Sequence, residues 1–235
     1  MTIRDNVVEI GKRVVMAARR AGRNPDSIAV MAVSKTFPAR AILDAYDAGL
    51  RIFGENRVQE FAEKHPDVQS LASADFHLIG HLQSNKAAKA AELFHAVDSV
   101  DSLKLAEKLN DSAGKLGKIL RVLIEVNVGG EEAKSGLAPD SPDLDVLLRA
   151  APGFPHLAIR GLMTIPPFTE DPEGARPYFR KLRQLRDAIA ARNLPRVHMD
   201  VLSMGMSHDF EVAIEEGSTC VRVGTAIFGS RQKKA

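Results

Sequence analysis

A lysine stands directly after an apolar run near the N-terminus of the chain. The stretch AVMAVSK covers residues 29–35 and is typical of a buried strand until it reaches Lys35. One interpretation is that the aliphatic stem packs while the ammonium reaches water. The other is that the amine is partly desolvated, which lowers its pKa and yields a neutral amine able to attack an aldehyde. Position alone leaves both interpretations open.

Two glycine-containing segments near the C-terminus offer groups that bind anions. The segment SMGMSHDFE leads into a predicted helix with Ser207 at the expected N-cap, and free N–H groups at a helix start attract anions. The segment RVGTAIFGS offers Gly224 and the hydroxyl of Thr225. Neither segment carries a Walker or dinucleotide-binding glycine pattern. An ordinary cap at Ser207 and an ordinary turn at Gly224 stay open as interpretations, and both are compatible with a bound phosphate.

Two further polar residues admit structural as well as functional interpretations. Strand alternation in CVRVG puts Arg222 on the interior face of its strand, where a guanidinium needs an acceptor. A buried ion pair with Glu125 or Asp200 would satisfy it, and so would a ring nitrogen or an anionic ligand. Asn56 follows FGE and, with Gln59, resembles a capping box at a helix start.

These residues are positioned by elements that alternate along the whole chain. Hydrophobic periodicity, helix-capping residues and residues that break helices or strands predict an N-terminal helix over 1–24. They then predict eight strands, nearly all of them followed by a helix. The longest predicted strand covers 118–128. Such alternation indicates parallel strands with right-handed crossovers, and eight such units in this length fit a closed barrel. We therefore predict an α/β fold, a single (β/α)8 TIM-type barrel domain over 1–235 with an extra N-terminal helix and a flexible tail at 231–235.

A doubly wound open sheet is the alternative fold, because sequence periodicity does not reveal closure. In a barrel, the polar residues that end the strands share one mouth, which holds the active site. Phosphate sites commonly form there from the loops after strands seven and eight, which here contain Ser207 and Gly224. A phosphate site at that position favours the reactive interpretation of Lys35.

Composition narrows the class of protein and its compartment. The 235 residues are 45% hydrophobic and carry 32 Lys and Arg against 30 Asp and Glu, for a net charge of +2. This balance argues against nucleic-acid binding by bulk charge. The single cysteine, Cys220, excludes an intramolecular disulfide and favours a reducing compartment. The N-terminal segment lacks a signal-peptide core and no apolar run could span a bilayer, so we expect a cytoplasmic protein without membrane contact.

Six motifs carry most of these residues, and they read, in chain order, AVSKTFP, FGENRVQE, HLIGHLQSNK, GLMTIPP, LSMGMSHDFEVAI and GSTCVRVGTAIFG. Together they closely resemble the pyridoxal phosphate homeostasis protein family over nearly the whole chain. The resemblance implies a barrel like the N-terminal domain of alanine racemase, carrying pyridoxal 5'-phosphate (PLP). Asn56 of GENR matches a residue beside the cofactor. One departure is His208, where many members carry an acid, and it should not affect phosphate binding through backbone amides.

The resemblance also implies roles for the residues with reactive or hydrogen-bonding groups. Lys35 in VSKTFP matches the family's Schiff-base lysine. Ser207 of MGMS, with Gly224 and Thr225 of RVGT, matches the phosphate site. Arg222 matches the arginine that faces the pyridine nitrogen of the cofactor.

The chemistry of the arginine bears on whether such a protein is an enzyme. PLP is a strong electron sink when its ring nitrogen is protonated, but arginine only donates, so the nitrogen opposite Arg222 should remain unprotonated. This disfavours transamination and decarboxylation. Racemisation needs a second acid or base, which alanine racemases take from a tyrosine of an added β-domain. This chain ends about a dozen residues after its last predicted strand, and Tyr46 and Tyr178 belong to predicted outer helices.

We therefore expect a PLP-binding protein of intracellular PLP homeostasis, which holds PLP as a Schiff base without robust catalysis and is not an enzyme. The alternative is a PLP-dependent amino-acid racemase. The expected partners are PLP and related B6 vitamers, together with apo-PLP enzymes. We expect a monomer that binds neither nucleic acid nor membrane.

Overall fold

Parallel strands form a closed barrel in the computed structural model, which describes residues 2–131 and 133–230. The strands are β1 (Ala29–Val33), β2 (Ile52–Glu55), β3 (Asp75–Leu78), β4 (Ala96–Val100), β5 (Leu120–Glu125), β6 (Leu157–Met163), β7 (Val197–Met206) and β8 (Cys220–Val223). Each strand pairs with the next along the chain, and β8 pairs back with β1, with Ala32 aligned to Val223. The predicted (β/α)8 barrel is confirmed, and the open sheet is wrong because β8 closes the sheet against β1.

Each strand is followed by a helix, and one helix precedes the barrel. The helices of the described residues are α1 (Ile3–Arg20), α2 (Ala39–Asp47), α3 (Val58–Val68), α4 (Ala87–Leu93), α5 (Leu103–Lys115), α6 (Pro142–Ala150), α7 (Arg176–Ala191), α8 (Phe210–Glu215) and α9 (Thr225–Phe228). None of them is both long enough and apolar enough to cross a bilayer. The tail predicted at 231–235 lies outside the described residues.

The extra N-terminal helix is confirmed, although α1 ends at Arg20 rather than at residue 24. The chain turns there because Gly22 adopts a positive φ of 66°, which glycine tolerates and a helix does not. A stripe at helical spacing on α1, Ile10, Val14 and Ala17, is buried. Because α1 packs against α8 and α9, it supports the two helices that follow the last two strands of the barrel.

The main hydrophobic core lies between the strands and the surrounding helices. Phe61 of α3 packs between Phe76 and Phe94, with ring centroids 4.8 and 4.7 Å away. The barrel interior holds a smaller apolar cluster, which consists of Met31, Val33, Ile79 and Cys220. Burial raises the pKa of the Cys220 thiol to about 12, so this residue packs as a thiol rather than reacting as a thiolate.

Part of the barrel interior is charged. His77 of β3 lies between two acids, with Nδ1 3.0 Å from a carboxylate oxygen of Asp98 and Nε2 3.3 Å from one of Asp75. Burial alone would lower the pKa of His77, but the two carboxylates raise it to about 9, so the ring is protonated at neutral pH. This is an internal ion pair, and the described residues contain no group of His, Cys, Asp and Glu that could hold a metal ion.

Candidate functional site

Lys35 lies at the barrel mouth, in the turn that joins β1 to α2. It follows the last residue of β1, Val33, by two positions and is half-buried. The turn is closed by the N–H of Phe37, which donates to the carbonyl oxygen of Ser34 at 3.1 Å. Because β1 pairs with β8, this turn adjoins the loop after β8, where a methyl group added at Gly224 would lie 3.4 Å from the carbonyl oxygen of Val33. The closed barrel therefore brings Lys35 beside the loop predicted to bind an anion.

Ser207 joins the loop after β7 to the loop after β8. Its Oγ accepts hydrogen bonds from the backbone N–H groups of Gly224 (3.1 Å) and Ala226 (3.3 Å). The prediction that Ser207 caps the helix after β7 is wrong, since α8 begins at Phe210 with Asp209 at its N-cap. Ser207 instead bonds N–H groups at the start of α9. It still lies among backbone donors suited to an anion, but they belong to a different helix.

The short helix α9 is held in place from two sides. The ring of Phe228, its last residue, packs on Phe37 of the Lys35 turn, with centroids 5.1 Å apart. On the other side, the side-chain amide of Asn6 on α1 donates to the carbonyl oxygen of Ile227 at 2.8 Å. Thr225, the first residue of α9, is exposed at the mouth. The turn that carries Lys35 and the helix that carries Thr225 are thus packed together.

Arg222 is buried in the barrel interior and donates to neutral acceptors. Its Nη1 donates to Oγ of Ser203 at 2.8 Å, and its Nη2 donates to the carbonyl oxygen of Thr164 at 2.7 Å. Strand alternation therefore predicted its interior position. Neither ion pair considered for it forms among the described residues, because Asp200 pairs with Arg160 at 2.7 Å and Oε2 of Glu125 has no hydrogen-bond partner. A buried guanidinium with five N–H donors has further capacity to donate to a ligand.

Asn56 follows β2 and is half-buried at the mouth. The capping box considered for it is wrong, because α3 begins at Val58 with Arg57 at the N-cap, and the side chain of Arg57 makes no cap bond. The backbone of Asn56 lies against β3's end: a methyl group at Gly80 would come within 2.3 Å of the Asn56 carbonyl oxygen. Close backbone packing thus fixes the position of Asn56.

His208 ties the loop after β6 to the loop after β7. Its Nε2 lies 3.1 Å from the carbonyl oxygen of Thr169 and 3.0 Å from that of Glu170, so as an N–H it donates to both. The exposed ring of Phe168 lies over it, with centroids 5.5 Å apart. This side chain therefore contacts the loop after β6.

Glu125 ends β5 as a buried carboxyl group with an unusual environment. Its Oε2 has no hydrogen-bond partner among the described residues. Burial, together with the charge of Asp101, raises the pKa of Glu125 to about 7, against the opposing charges of Arg222 and His81. At neutral pH the protonated and ionised forms of this carboxyl group are therefore both present, and the charge of Arg222 in the predicted site favours the ionised form.

One group at the mouth escaped sequence reasoning, because it comes from a helix rather than from a strand end. Lys64 of α3 is buried and donates to the carboxylates of Glu55 and Glu60 and to the carbonyl oxygen of Ser34. The signal was present in the sequence: Lys64 shares the buried stripe of α3 with Val58, Phe61 and Val68. A lysine on an apolar stripe needs a buried acceptor, and Glu55 closes the neighbouring strand.

Comparison with known proteins defines the class to which this fold and mouth belong. The chain belongs to the alanine racemase N-terminal domain family, whose model matches residues 10–232. It is 45% identical, over 221 residues, to the pyridoxal phosphate homeostasis protein of Aquifex aeolicus (strain VF5), covering 94% of this chain and 95% of that protein. The resemblance found in the sequence motifs is therefore confirmed.

Solved structures agree with this assignment. PipY of Synechococcus elongatus PCC7942, a COG0325 family member solved with PLP bound, superposes with a TM-score of 0.80 at 39% identity, covering 94% of this chain and all of that one, 100%. The alanine racemase of Clostridium difficile 630 superposes with a TM-score of 0.70 at 16% identity, covering 99% of this chain and 58% of the racemase. At that identity the racemase shares the fold alone.

Proposed function

We propose that this protein binds PLP at the barrel mouth and holds it reversibly as a Schiff base to Lys35, in a cytoplasmic role in PLP homeostasis. The observation that carries the proposal is that an amine, backbone N–H groups and a buried guanidinium lie on β1, β8 and their loops, and β1 and β8 are paired strands. The chain is also 39% identical to a protein solved with PLP bound. PLP supplies an aldehyde, which condenses reversibly with an amine and releases water, and a ring that withdraws electrons when its nitrogen is protonated.

The donors of the mouth fit the parts of PLP. The backbone N–H of Gly224, which donates to Ser207 in the structure, would donate to the phosphate, together with the hydroxyls of Ser207 and Thr225. Arg222 would donate to the ring nitrogen, and Asn56 would lie beside the ring. The two groups that already accept hydrogen bonds from Arg222, the Ser203 hydroxyl and the Thr164 carbonyl oxygen, are neutral, so neither of them neutralises the guanidinium.

A holding role, rather than a catalytic one, is supported by the groups around the site. Arg222 would keep the ring nitrogen unprotonated, which makes the cofactor a weaker electron sink. Neither tyrosine is placed to act as the second acid or base of a racemase: the hydroxyl of Tyr46 donates to the carbonyl oxygen of Ala72 at 2.6 Å, and Tyr178 packs against the core from α7. In this proposal, a monomer exchanges PLP and related vitamers with apo-PLP enzymes and contacts neither nucleic acid nor membrane.

The experiment that tests this function distinguishes transfer of PLP to another protein from turnover of amino acids. PLP-loaded protein is mixed with the apo-form of a PLP enzyme, whose recovered activity is followed against a control with the same concentration of free PLP. In parallel, the loaded protein is incubated with L-amino acids and assayed for the D-forms and for keto acids. We expect recovery of the apo-enzyme and no sustained consumption of amino acids. Turnover of an amino acid at about 1 per second or faster would contradict the proposal and favour the racemase alternative.

A further inference from the structure

A buried ionic cluster lies beneath the turn that carries Lys35. The Lys64 side chain is only 9% exposed, and its ammonium donates to Glu60 Oε1 at 2.7 Å and to the two carboxylate oxygens of Glu55 at 3.0 and 3.1 Å. It also donates to the carbonyl oxygen of Ser34 at 3.1 Å, and the Ser34 hydroxyl donates to Glu55 at 2.7 Å. The three N–H donors of the ammonium therefore all have acceptors.

The cluster holds both peptide groups that flank Lys35. The carbonyl of Ser34 belongs to the peptide group before Lys35 and accepts from Lys64. The N–H of Thr36 belongs to the peptide group after Lys35 and donates to Glu60 at 2.5 Å. Since one ammonium bonds both acceptors, Ser34 O and Glu60, it fixes the backbone on either side of the Lys35 Cα.

The backbone at this turn needs such support. Thr36 adopts a φ of +69°, a left-handed conformation that is unfavourable for a β-branched residue. A strained residue persists only where its surroundings over-determine it, and here Glu60 holds its amide. The strained residue directly follows Lys35, whose side-chain orientation determines whether its amine can reach an aldehyde.

Stability alone does not explain why these charges are buried. Burial raises the pKa of Glu55 in spite of the nearby Lys64, so desolvation opposes its ionised form. Buried ion pairs of this kind are often no more stabilising than apolar residues of similar volume. What apolar residues could not provide is directed hydrogen bonding to the two peptide groups.

We propose that Lys64 is a positioning residue for Lys35: with Glu55 and Glu60, it fixes the turn so that the Lys35 amine meets the PLP aldehyde in a reactive orientation. This inference rests on the proposed function. It concerns the rate at which the Schiff base forms and not the binding of the phosphate, which involves the loops after β7 and β8.

Two variants and one matched control test the proposal. Glu60→Ala removes the acceptor of the Thr36 amide at a partly exposed position, and Lys64→Met removes the ammonium at similar length. Glu63→Ala is the control, because Glu63 is an exposed acid on the same helix. Glu60→Gln retains an oxygen acceptor and should restore most of the wild-type behaviour.

The measurements separate reaction from binding. Stopped-flow absorbance gives the rate of Schiff-base formation with PLP, and titration with pyridoxine 5'-phosphate, which has no aldehyde, gives non-covalent affinity. Because a small misplacement of a reacting group costs up to two orders of magnitude, Glu60→Ala and Lys64→Met should slow Schiff-base formation about ten- to a hundred-fold. The affinity for pyridoxine 5'-phosphate should stay within about twofold, because the cluster and the donors of the loops after β7 and β8 share no hydrogen-bond partner. Hydrogen exchange of the Thr36 amide should be faster in both variants without cofactor.

The outcomes are distinct for each variant. A wild-type rate of Schiff-base formation in Glu60→Ala would overturn the positioning role, and so would an equal loss of rate and of pyridoxine 5'-phosphate affinity. If Lys64→Met does not fold, Glu60→Ala and its rescue by Glu60→Gln decide. If the wild-type protein forms no Schiff base at all, the proposed function fails, while exchange of the Thr36 amide still reports whether the cluster holds the turn.

Discussion

At the scale of single residues, Glu125 is the group whose environment has the clearest consequence for stability. The folded protein raises its pKa from 4.5 to about 7, so between these values the folded state keeps a proton that the unfolded chain releases. The contribution of Glu125 to the free energy of unfolding therefore falls as the pH rises through this window. Its contribution is fully present below pH 4.5 and lost above pH 7.

Glu125→Gln should remove this fall, because a glutamine does not titrate. From the lower to the upper end of this pH window, Glu125 should lower the unfolding free energy of the wild type by an amount on the order of 2 kcal/mol. The variant should not show this decrease. Denaturant unfolding at a series of pH values measures the difference. Glu107→Gln, at an exposed position on α5, is the control and should follow the wild type. A Glu125→Gln profile parallel to the wild type would show that Glu125 is ionised throughout.

The sequence predicted where single residues lie in the fold better than it predicted which groups their side chains bond. Alternation in CVRVG correctly put Arg222 inside the barrel, yet its acceptors, Ser203 and the Thr164 carbonyl, are neutral and come from β7 and the end of β6. Those acceptors could not be read from the sequence, because strand order in space decides which polar groups meet. Lys64 differs, because its position on the apolar stripe of α3 carried the signal, but a helical residue is not one of the strand ends that meet at a barrel mouth.

At the scale of elements, alternation predicted every strand, but the extents depend on contacts that periodicity does not contain. The strand predicted over 118–128 is β5, which ends at Glu125, and the longest strand is β7. β5 ends early because the chain turns after Val126: Asn127 Oδ1 accepts from the N–H of Gly130. Ser207 is a second case in which sequence did not predict an element boundary. Two residues separate it from the start of α8, and its hydroxyl accepts from the N–H of Gly224 at the start of α9 instead.

Two glycines, one in the loop after β3 and one within α1, should change the free energy of unfolding in opposite directions when replaced by alanine. At Gly80 a methyl group would clash with the Asn56 backbone at 2.3 Å, and the carbonyl of Gly80 is held by the Ser99 hydroxyl at 2.7 Å. Gly80→Ala should therefore lower the free energy of unfolding by about 1–3 kcal/mol. At Gly11, within α1, no heavy atom lies within 4 Å of the added methyl group apart from the adjoining residues and the backbone of α1 itself.

Gly11→Ala should raise the free energy of unfolding by about 0.5–1 kcal/mol, because alanine is the better helix former. Chemical denaturation of both variants beside the wild type measures the pair. Destabilisation by Gly11→Ala would contradict the open space at that position, and an unchanged stability of Gly80→Ala would contradict the close packing at Gly80.

At the scale of the whole molecule, closure of the barrel is what assembles the site. Lys35 and Gly224 are almost 190 residues apart in the chain, and they become neighbours because β8 pairs with β1. Sequence periodicity predicted the number and the parallel order of the strands but could not distinguish a closed barrel from an open sheet. Strand ends, loops and strand alternation indicated the candidate residues, whereas their roles toward PLP were implied by the family resemblance and stay predictions.

The most direct measurement of the central claim is the position of the covalent adduct. PLP-loaded protein is reduced with borohydride, digested and mapped by mass spectrometry, beside Lys35→Ala and the surface control Lys89→Ala. We predict one pyridoxyl adduct on Lys35 in the wild type and in Lys89→Ala, and none in Lys35→Ala, which should still bind PLP through its phosphate. A wild-type adduct found only on another lysine would contradict the assignment of Lys35 and, with it, the account of the barrel mouth.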